Sequence, residues 1–352
     1  MATIVLNCGG VVTYQLLCGR EIAAKDQMAS QMANFVYLMV NTLDKTALTI
    51  DAAWDVEGVY ALADSLGVKI RGGIYTHYHF DHAGGDVHPM FTGGRQMILP
   101  GAKEIENRGG TIWAGAADAD MLSKQCHLSN EVRGVRDGDA IDCGDLVLTA
   151  VHSPGHTPGS ICIFAAPKAL SPRGALTGKS PLTEVPVKAE HGLLITGDSL
   201  FPGSCGRTDL PGSDQGQMFS SLARLSTLHP DVIVCPGHDY ADRPYTTIGA
   251  ERANNQMVAM GLRSGKPPAR LPFTCLACGP CGPKDFLVGR KVVIDGLTSE
   301  AGQKLNGLTG VVEQFDSDKC RYGVRLLGPN GASKAVRPDN LDFCPPCKPS
   351  PL

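Results

Sequence analysis

The sequence predicts an α/β domain followed by a small all-β module. Two features predict the α/β domain: apolar strand-like runs alternate with a helix-like stretch, and four of these runs end beside a histidine or an aspartate. The all-β module is predicted by about 60 residues of short alternating strands, which begin near Phe286 and are separated by turn signals. The 42 glycines and 24 prolines of the 352-residue chain fit many strands that end in tight turns.

Composition narrows the classes of partner. The formal net charge is -3 and no block of like charges occurs, which argues against nucleic acid and against a polybasic membrane segment. No apolar run approaches the roughly 18 residues of a membrane span, and residues 1–10 lack a secretory pattern. We therefore expect a small-molecule substrate and a cytoplasmic location, with a mitochondrial location left open. The 13 cysteines are then expected as reduced thiols or metal ligands.

The elements of the α/β domain follow from periodicity. Residues 1–53 predict a β-meander whose clearest strands are 35–40 and 47–51, and residues 56–66 predict a helix that ends at Gly67. Residues 84–126 are expected to form an irregular insertion, and residues 167–190 a surface loop. The remaining predicted elements are strands at 68–70, 74–75, 146–152, 161–165, 193–195 and 231–235 and one helix at 247–263.

The strongest local signal is the stretch 76–82. His77, His79, Asp81 and His82 are four potential metal ligands within six positions, directly after a predicted strand. Neutral imidazole and carboxylate groups suit zinc or iron. A polar surface loop is the alternative, but such loops seldom collect three histidines. The stretch therefore predicts a metal site.

The same arrangement of a strand followed by a polar residue recurs along the chain. His77, His156, Asp198 and His238 each follow an apolar strand and lie near glycine or proline. The intervals are 74 residues from His82 to His156, then 42, then 40, which is far too long for a local zinc finger. A sheet can bring strand ends together at one edge, so we expect these four side chains to converge.

In its ordered set of ligands the chain resembles the metallo-β-lactamase superfamily. The resemblance covers about residues 30–262 and rests on the His-x-His-x-Asp-His loop, the later histidine, the aspartate and the final histidine. It implies an αββα sandwich with the site at one edge, here residues 1–265. It also implies that His77, His79 and His156 hold one metal ion, that Asp81, His82 and His238 hold a second, and that Asp198 bridges them.

The resemblance further implies a metal-dependent hydrolase. Two divalent ions, with zinc expected and iron or manganese open, would activate a hydroxide that Asp81 orients toward an acyl substrate. Residues 197–201, 206–209 and 236–240 are similar to the glyoxalase II-like branch, whose members hydrolyse thioesters such as S-lactoylglutathione. No helical glutathione-binding domain is visible after His238, so a glutathione conjugate is only one candidate substrate.

Two other functions stay open. The same motifs are similar to persulfide dioxygenases, in which a single Fe(II) would be held by His77, His156 and Asp198 and would convert glutathione persulfide to sulfite. A binding protein that acts through the C-terminal module is the remaining alternative.

Arg207 and Tyr240 are candidate substrate-binding residues. Arg207 can bind a carboxylate through two hydrogen bonds, and Tyr240 can stack on a substrate near the metal. The alternative is structural, because an arginine at a strand end often pairs with a nearby aspartate such as Asp209 or Asp239. The histidines outside the motifs, among them His191 and His229, are expected to be ordinary core or surface residues.

The C-terminal part is expected to form an SH3-like β-barrel at residues 285–343. A linker rich in cysteine and proline at 266–284 precedes it, and a tail of similar composition at 344–352 follows it. Such a module either binds a protein segment or packs on the catalytic domain. The ends of a small barrel often meet, so Cys278, Cys281, Cys344 and Cys347 predict a structural zinc site, with free thiols or disulfides as alternatives.

Overall fold

Two β-sheets packed face to face form the main body of the chain. The structure is a computed structural model that describes residues 3–8, 11–143, 146–166, 176, 178–263, 271, 274–275, 279–280, 291–294, 297–316, 321–327, 331–337 and 341–343. Within these ranges no helix has the length and hydropathy that a membrane crossing requires.

The strands are numbered in chain order. They are β1 (Thr3–Cys8), β2 (Val11–Leu17), β3 (Phe35–Asn41), β4 (Thr46–Ile50), β5 (Lys69–Tyr75), β6 (Gly85–Asp86), β7 (Ile98–Leu99), β8 (Thr111–Gly115), β9 (Arg133–Val135), β10 (Ala140–Cys143), β11 (Leu146–His152), β12 (Ile161–Ala166), β13 (Glu184–Lys188), β14 (Leu193–Gly197), β15 (Ile233–Pro236), β16 (Thr246–Thr247), β17 (Thr274–Cys275), β18 (Gly279–Pro280), β19 (Lys291–Ile294), β20 (Thr309–Asp316), β21 (Arg321–Leu326), β22 (Ser333–Val336) and β23 (Leu341–Phe343).

The helices lie between these strands. They are α1 (Gln27–Met32), α2 (Val56–Leu66), α3 (Phe80–Ala83), α4 (Ala102–Asn107), α5 (Ala119–Gln125), α6 (Gln215–Leu225), α7 (Ile248–Asn254), α8 (Gln256–Arg263) and α9 (Glu300–Gln303), with a 3-10 turn at Pro89–Phe91. The predicted helix at 56–66 is confirmed. Asp55 caps its first turn by accepting a hydrogen bond from the backbone N–H of Gly58, and Gly67 ends it at a φ of 68°.

The larger sheet has the order β13-β1-β2-β3-β4-β5-β8-β9 and the smaller one the order β10-β11-β12-β14-β15-β16. The predicted opening meander is confirmed, since β1 to β4 pair antiparallel in sequence. β3 is buried along its whole length: Val36 faces one apolar core and Tyr37 the other. Burial on both faces explains why this strand reads as an unbroken apolar run.

Helices cover the outer faces of both sheets. Leu66 of α2, Ile105 of α4 and Leu122 of α5 share a core with the outer face of the larger sheet. Leu222 of α6 and Val258 of α8 share another core with the outer face of the smaller sheet. The layers are therefore helix, sheet, sheet, helix, which is the predicted αββα sandwich.

Three predicted element boundaries are wrong. Residues 184–188, expected in a surface loop, form β13, an exposed edge strand whose polar residues and Pro186 give no apolar alternation. Residues 111–115, expected in an irregular insertion, form β8 inside the larger sheet. The single helix predicted at 247–263 is two helices, because Asn255 interrupts the first and its side chain accepts the N–H of Met257 in the second.

The C-terminal residues form a separate sheet of order β22-β21-β20-β19-β23. Its strands include those predicted around 290–294, 310–315, 321–326 and 334–337, and its apolar core contains Val292, Val312 and Val324. This sheet is compatible with a small barrel-like module, while closure into an SH3-like barrel stays a prediction. Cys278, Cys281, Cys344 and Cys347 lie outside the described residues, so the structural zinc site also stays a prediction.

Candidate metal centre

Strand ends from both sheets meet at one edge of the sandwich. β11 and β14 both pair antiparallel with β12, and β14 pairs parallel with β15, so these three strands run in the same direction. His156, Asp198 and His238 follow their carboxyl ends. His77 follows β5 of the larger sheet, and the backbone N–H of Ile161 bonds to the carbonyl of Thr76 beside it. The expected convergence of strand ends therefore occurs.

The first group of candidate ligands consists of three imidazoles. Nδ1 of His79 lies 3.0 Å from Nε2 of His77 and 3.0 Å from Nε2 of His156. The ligands of a tetrahedral zinc ion lie about 3.3 Å apart, because each Zn–N bond is about 2.0–2.1 Å long. His77 and His156 are buried and His79 is half-buried. Three nitrogen atoms at this spacing can hold one ion.

The second group combines a carboxylate with two imidazoles. Helix α3 carries Asp81 and His82, and His238 approaches from the end of β15. Nε2 of His82 lies 3.1 Å from Nε2 of His238. Oδ2 of Asp81 lies 3.5 Å from the first of these nitrogens and 3.4 Å from the second. All three side chains are buried, and their spacing also matches the edges of a tetrahedral site.

Asp198 lies between the two groups and turns one oxygen toward each. Its Oδ1 is 3.3 Å from Nε2 of His82 and 3.4 Å from Nε2 of His238, and its Oδ2 is 3.5 Å from Nε2 of His156. Oδ1 is buried and has no well-formed hydrogen bond to any described residue. A buried carboxylate oxygen in this state is costly unless a cation satisfies it. The side chains therefore fit two cations that share Asp198.

The electrostatics of the two groups differ. Burial and the neighbouring imidazoles hold the pKa of His77 well below its ordinary value, and burial together with His156 lowers the pKa of His79 to about 4. Burial would also lower the pKa of His82, but the carboxylates of Asp81 and Asp198 outweigh it and raise that pKa. His77 and His79 of the first group are thus neutral imidazoles, whereas the second group has carboxylates that attract a positive charge.

Backbone carbonyls orient two of the imidazoles. Nδ1 of His156 donates to the carbonyl of Arg207 at 2.8 Å, and Nδ1 of His238 donates to the carbonyl of Met32 at 2.7 Å. An imidazole whose Nδ1 carries the proton has a free lone pair on Nε2, which is the atom that faces the other ligands. The loop that contains Arg207 and the last residue of α1, Met32, therefore select the tautomer needed for metal binding.

Asp51 orients two further imidazoles and was missed at the sequence level. Its carboxylate accepts hydrogen bonds from the backbone N–H and the hydroxyl of Thr76, both at 2.7 Å, and from Nδ1 of His82 at 2.9 Å. Because the Thr76 hydroxyl donates to Asp51, its oxygen can accept Nδ1–H of His77 at 3.1 Å. Asp51 directly follows β4, so its position at a strand end was the available signal.

Comparison with known proteins identifies the family. The family model described as the metallo-beta-lactamase superfamily matches residues 177–238, which contain Asp198 and His238. An uncharacterized protein of Aquifex aeolicus is 32% identical over 212 residues, which cover 59% of this chain and 84% of that protein. The chain belongs to the metallo-beta-lactamase superfamily. Members of this superfamily bind divalent metal ions, in agreement with the donor atoms gathered here.

Superfamily relatives of this chain carry different activities in their names. A probable polyketide biosynthesis zinc-dependent hydrolase, BaeB of Bacillus velezensis, is 23% identical over 69% of this chain and 87% of that protein. The human mitochondrial persulfide dioxygenase ETHE1 is 25% identical over 69% of this chain and 78% of that protein. The comparisons therefore show a superfamily of hydrolases and oxygenases and leave the specific reaction to be proposed.

Arg207 and Tyr240 lie at the exposed rim of the centre. The guanidinium of Arg207 makes two hydrogen bonds to the carboxylate of Asp209, at 2.9 and 2.8 Å, which is the structural pairing considered above. The ring of Tyr240 stacks on the imidazole of His238 with 4.4 Å between centroids, and 59% of the residue is exposed. A role in substrate binding stays a prediction for both residues.

A third cluster of potential ligands lies at the opposite ends of the strands. His191 precedes β14, and His229 and Asp231 precede β15. The two imidazoles stack 3.9 Å apart with only 6° between their planes. Lone pairs in parallel ring planes do not converge on one ion, so this cluster is not arranged as a metal site.

Proposed function

We propose that this chain is a metallohydrolase that uses two divalent ions to hydrolyse a thioester or a related acyl substrate. The observation that carries the proposal is the completeness of the second ligand group, which is buried and shares Asp198 with the first. Nitrogen and carboxylate donors at tetrahedral spacing fit zinc, and iron or manganese would also accept them. The zinc-dependent hydrolase named among the relatives supports the same choice.

The chemistry requires no nucleophilic side chain. When bound, the two ions supply a hydroxide near neutral pH and polarise the substrate carbonyl. The nearby hydroxyl and thiol groups are unsuited to attack: Ser199 is buried and hydrogen-bonds Ser153, and burial raises the pKa of the Cys162 thiol to about 11. Asp81, whose carboxylate belongs to the second group, is the residue expected to orient the attacking oxygen.

The exposed rim supports an acyl substrate with an apolar portion. Tyr240 covers one face of His238, and the ring of Phe201 meets Tyr240 edge to face at 5.9 Å. The exposed ring of Tyr240, backed by the buried ring of Phe201, offers an apolar wall beside the centre. S-lactoylglutathione is a suitable first probe because it is the thioester that the resemblance to the glyoxalase II-like branch implies, and its lactoyl group is small.

The test is thioester hydrolysis by a variant that lacks one ligand of the second group and keeps the first group intact. His238→Ala should reduce bound zinc from two ions per chain to one and lower kcat for thioester hydrolysis by at least about 100-fold. His127→Ala removes an exposed histidine that pairs with Asp86 and should leave both values unchanged. Near-normal hydrolysis by His238→Ala would contradict the two-metal mechanism.

A persulfide dioxygenase is the second candidate. It is favoured by the similarity to human ETHE1 and by the position of His77, His156 and Asp198, which can form the two-histidine, one-carboxylate face typical of oxygen-activating Fe(II) enzymes. Such an enzyme would consume dioxygen on addition of glutathione persulfide and release sulfite. Oxygen uptake by a one-iron protein, retained in His238→Ala, would establish this reaction in place of hydrolysis.

A further inference from the structure

Asn34 places a side-chain amide against the second ligand group. The residue precedes β3, forms an isolated antiparallel bridge with His238, and is 1% exposed. Its Nδ2 lies 2.9 Å from Oδ2 of Asp81, 3.3 Å from Nε2 of His82 and 3.5 Å from Nε2 of His238. These are the three atoms that would contact the second ion, so Asn34 reaches every member of that group.

Trp54 determines which end of the Asn34 amide faces the ligands. The indole N–H of Trp54 lies 3.1 Å from Oδ1 of Asn34. An indole nitrogen is only a donor, so the atom it contacts must be the acceptor oxygen. The NH2 group of Asn34 is therefore the end directed at Asp81, and Asn34 acts as a hydrogen-bond donor rather than as a further ligand.

The backbone holds Trp54 in an unusual conformation for this contact. Trp54 has a φ of 71°, a region that bulky side chains rarely occupy, and it is 6% exposed. Its backbone N–H bonds to the carbonyl of Pro100, and its indole N–H also lies 3.0 Å from the carbonyl of Asp81. The indole thus contacts both Asn34 and the backbone of the helix that carries Asp81.

We propose that Asn34 and Trp54 are a pair of positioning residues that pre-organises the second ligand group for its cation. Before the ion binds, the amide donates to Oδ2 of Asp81 and lies against Nε2 of both imidazoles, which keeps the three ligand atoms facing one point. Once the ion is bound, the amide retains the bond to Asp81, whose carboxylate can accept it beside a metal. This inference rests on the two-metal centre proposed above.

The pair acts on one group of ligands. The NH2 group of Asn34 contacts Asp81, His82 and His238, all of the second group. The first group is oriented from other parts of the chain, through the carbonyl of Arg207 and the hydroxyl of Thr76. A change at Asn34 should therefore separate the two metal affinities, which a general loss of folding would not do.

The test measures both zinc dissociation constants of the metal-free chain by competition with a chromogenic chelator. Asn34→Ala should weaken the second constant about 10- to 100-fold and change the first by less than about threefold. Trp54→Phe, which keeps an aromatic ring but removes the N–H, should weaken the second constant about three- to tenfold. The matched control is Asn41→Ala at the far end of β3, an equally buried asparagine that should change neither constant.

A double variant shows whether Trp54 works through Asn34. In Asn34→Ala/Trp54→Phe the loss should be clearly smaller than the product of the two single losses, because the indole has no amide left to orient. Losses that multiply, or an unchanged second constant in Asn34→Ala, would overturn the inference. A wild-type chain that binds only one zinc ion would instead refute the two-metal function, so the two failures are distinguishable.

Discussion

At the residue scale, hydrogen bonds from Nδ1 orient several of the candidate ligands without any bound ion. His156 and His238 each donate Nδ1–H to a backbone carbonyl, and His82 donates to the carboxylate of Asp51. Each bond fixes the plane of its ring and directs Nε2 at the centre. The position of the centre is therefore a property of the folded chain, which explains how buried imidazoles and carboxylates can stay this close together.

Thr76 offers a sharp test of this orientation. Its hydroxyl donates to Asp51 and accepts Nδ1–H of His77, and this pair of hydrogen bonds is a relay between the two residues. Thr76→Val removes the relay while keeping the shape of the side chain. We expect zinc affinity of the first ligand group to fall about tenfold and that of the second to stay within about threefold. Zinc titration of the metal-free variant measures both, and an equal loss at the two positions would argue against a specific relay.

Part of the centre could be predicted from strand ends and part could not. His77, His156 and His238 follow apolar strands, and that pattern alone predicts convergence at a sheet edge. Asp51 also follows a strand, but a ligand and a residue that orients ligands look alike in sequence. The sequence around Asn34 does not indicate its role, because that role depends on contact with Asp81, which lies 47 positions away.

At the scale of elements, β8 and α5 hold the loop that carries His156. Asp118, which precedes α5, is 1% exposed and accepts the hydroxyl of Thr157 at 2.6 Å and the backbone N–H of Gly159 at 2.7 Å. Gly115 at the end of β8 lies so close that a Cβ there would be 1.9 Å from the carbonyl oxygen of Gly159. The loop is therefore clamped directly after His156, by two hydrogen bonds and one close backbone contact.

Removing this clamp should affect stability and the first ligand group together. Asp118→Ala leaves the Thr157 hydroxyl and the Gly159 N–H without their acceptor in a buried loop. We expect a loss of about 2–4 kcal/mol in the free energy of unfolding, measured with urea, and weaker zinc binding at the first group. Asp120→Ala, an exposed change on α5, is the control, and equal stability of the two variants would show that the clamp contributes nothing.

Elements with a clear apolar pattern could be predicted, and those whose role depends on partners could not. β3 and α2 each present regular apolar positions, and both lie where the sequence places them. β8 ends in Gly115, and a glycine suggests a loop. Here the glycine is required because the backbone of Gly159 approaches too closely for a Cβ. β13 is an exposed edge strand paired with β1, so its residues show no alternation to detect.

At the scale of the whole molecule, the sandwich and the C-terminal sheet have separate apolar cores. Val292, Val312 and Val324 belong to the core of the C-terminal sheet, while the sandwich has three cores of its own. Leu262 of α8 packs against both the outer core of the smaller sandwich sheet and the C-terminal core. The apolar contact between the two units therefore involves the last turn of the last sandwich helix.

A core change in the C-terminal sheet should leave the metal centre unaffected. Val324→Ala removes two methyl groups from a fully buried position, and we expect the C-terminal sheet to lose about 1–3 kcal/mol of stability. Scanning calorimetry would show a transition shifted to lower temperature, while zinc stoichiometry stays at the wild-type value. Loss of zinc from this variant would mean that the two units fold as one and would contradict the separation of cores.

A separate C-terminal sheet was predictable because the strand pattern changes along the chain, from long apolar runs to short alternating ones. The function of the second unit was not, since a small sheet with its own core supports protein binding and simple packing equally well. Lys334 on β22 and Arg325 on β21 are both exposed, yet Arg325 already pairs with Glu313. The strand pattern and the charges therefore predict that this unit is present, but they do not identify a partner.

If one buried centre holds two ions that share Asp198, counting the metal ions bound per chain shows it without any assumption about the substrate. The chain would be purified under anaerobic conditions and its metals measured per chain by mass spectrometry, with Asp198→Ala in parallel. We expect about two divalent ions in the wild type and at most one in the variant, because without the shared carboxylate only the three imidazoles of the first group remain complete. A wild-type chain with a single ion, or a variant that keeps both, would contradict it.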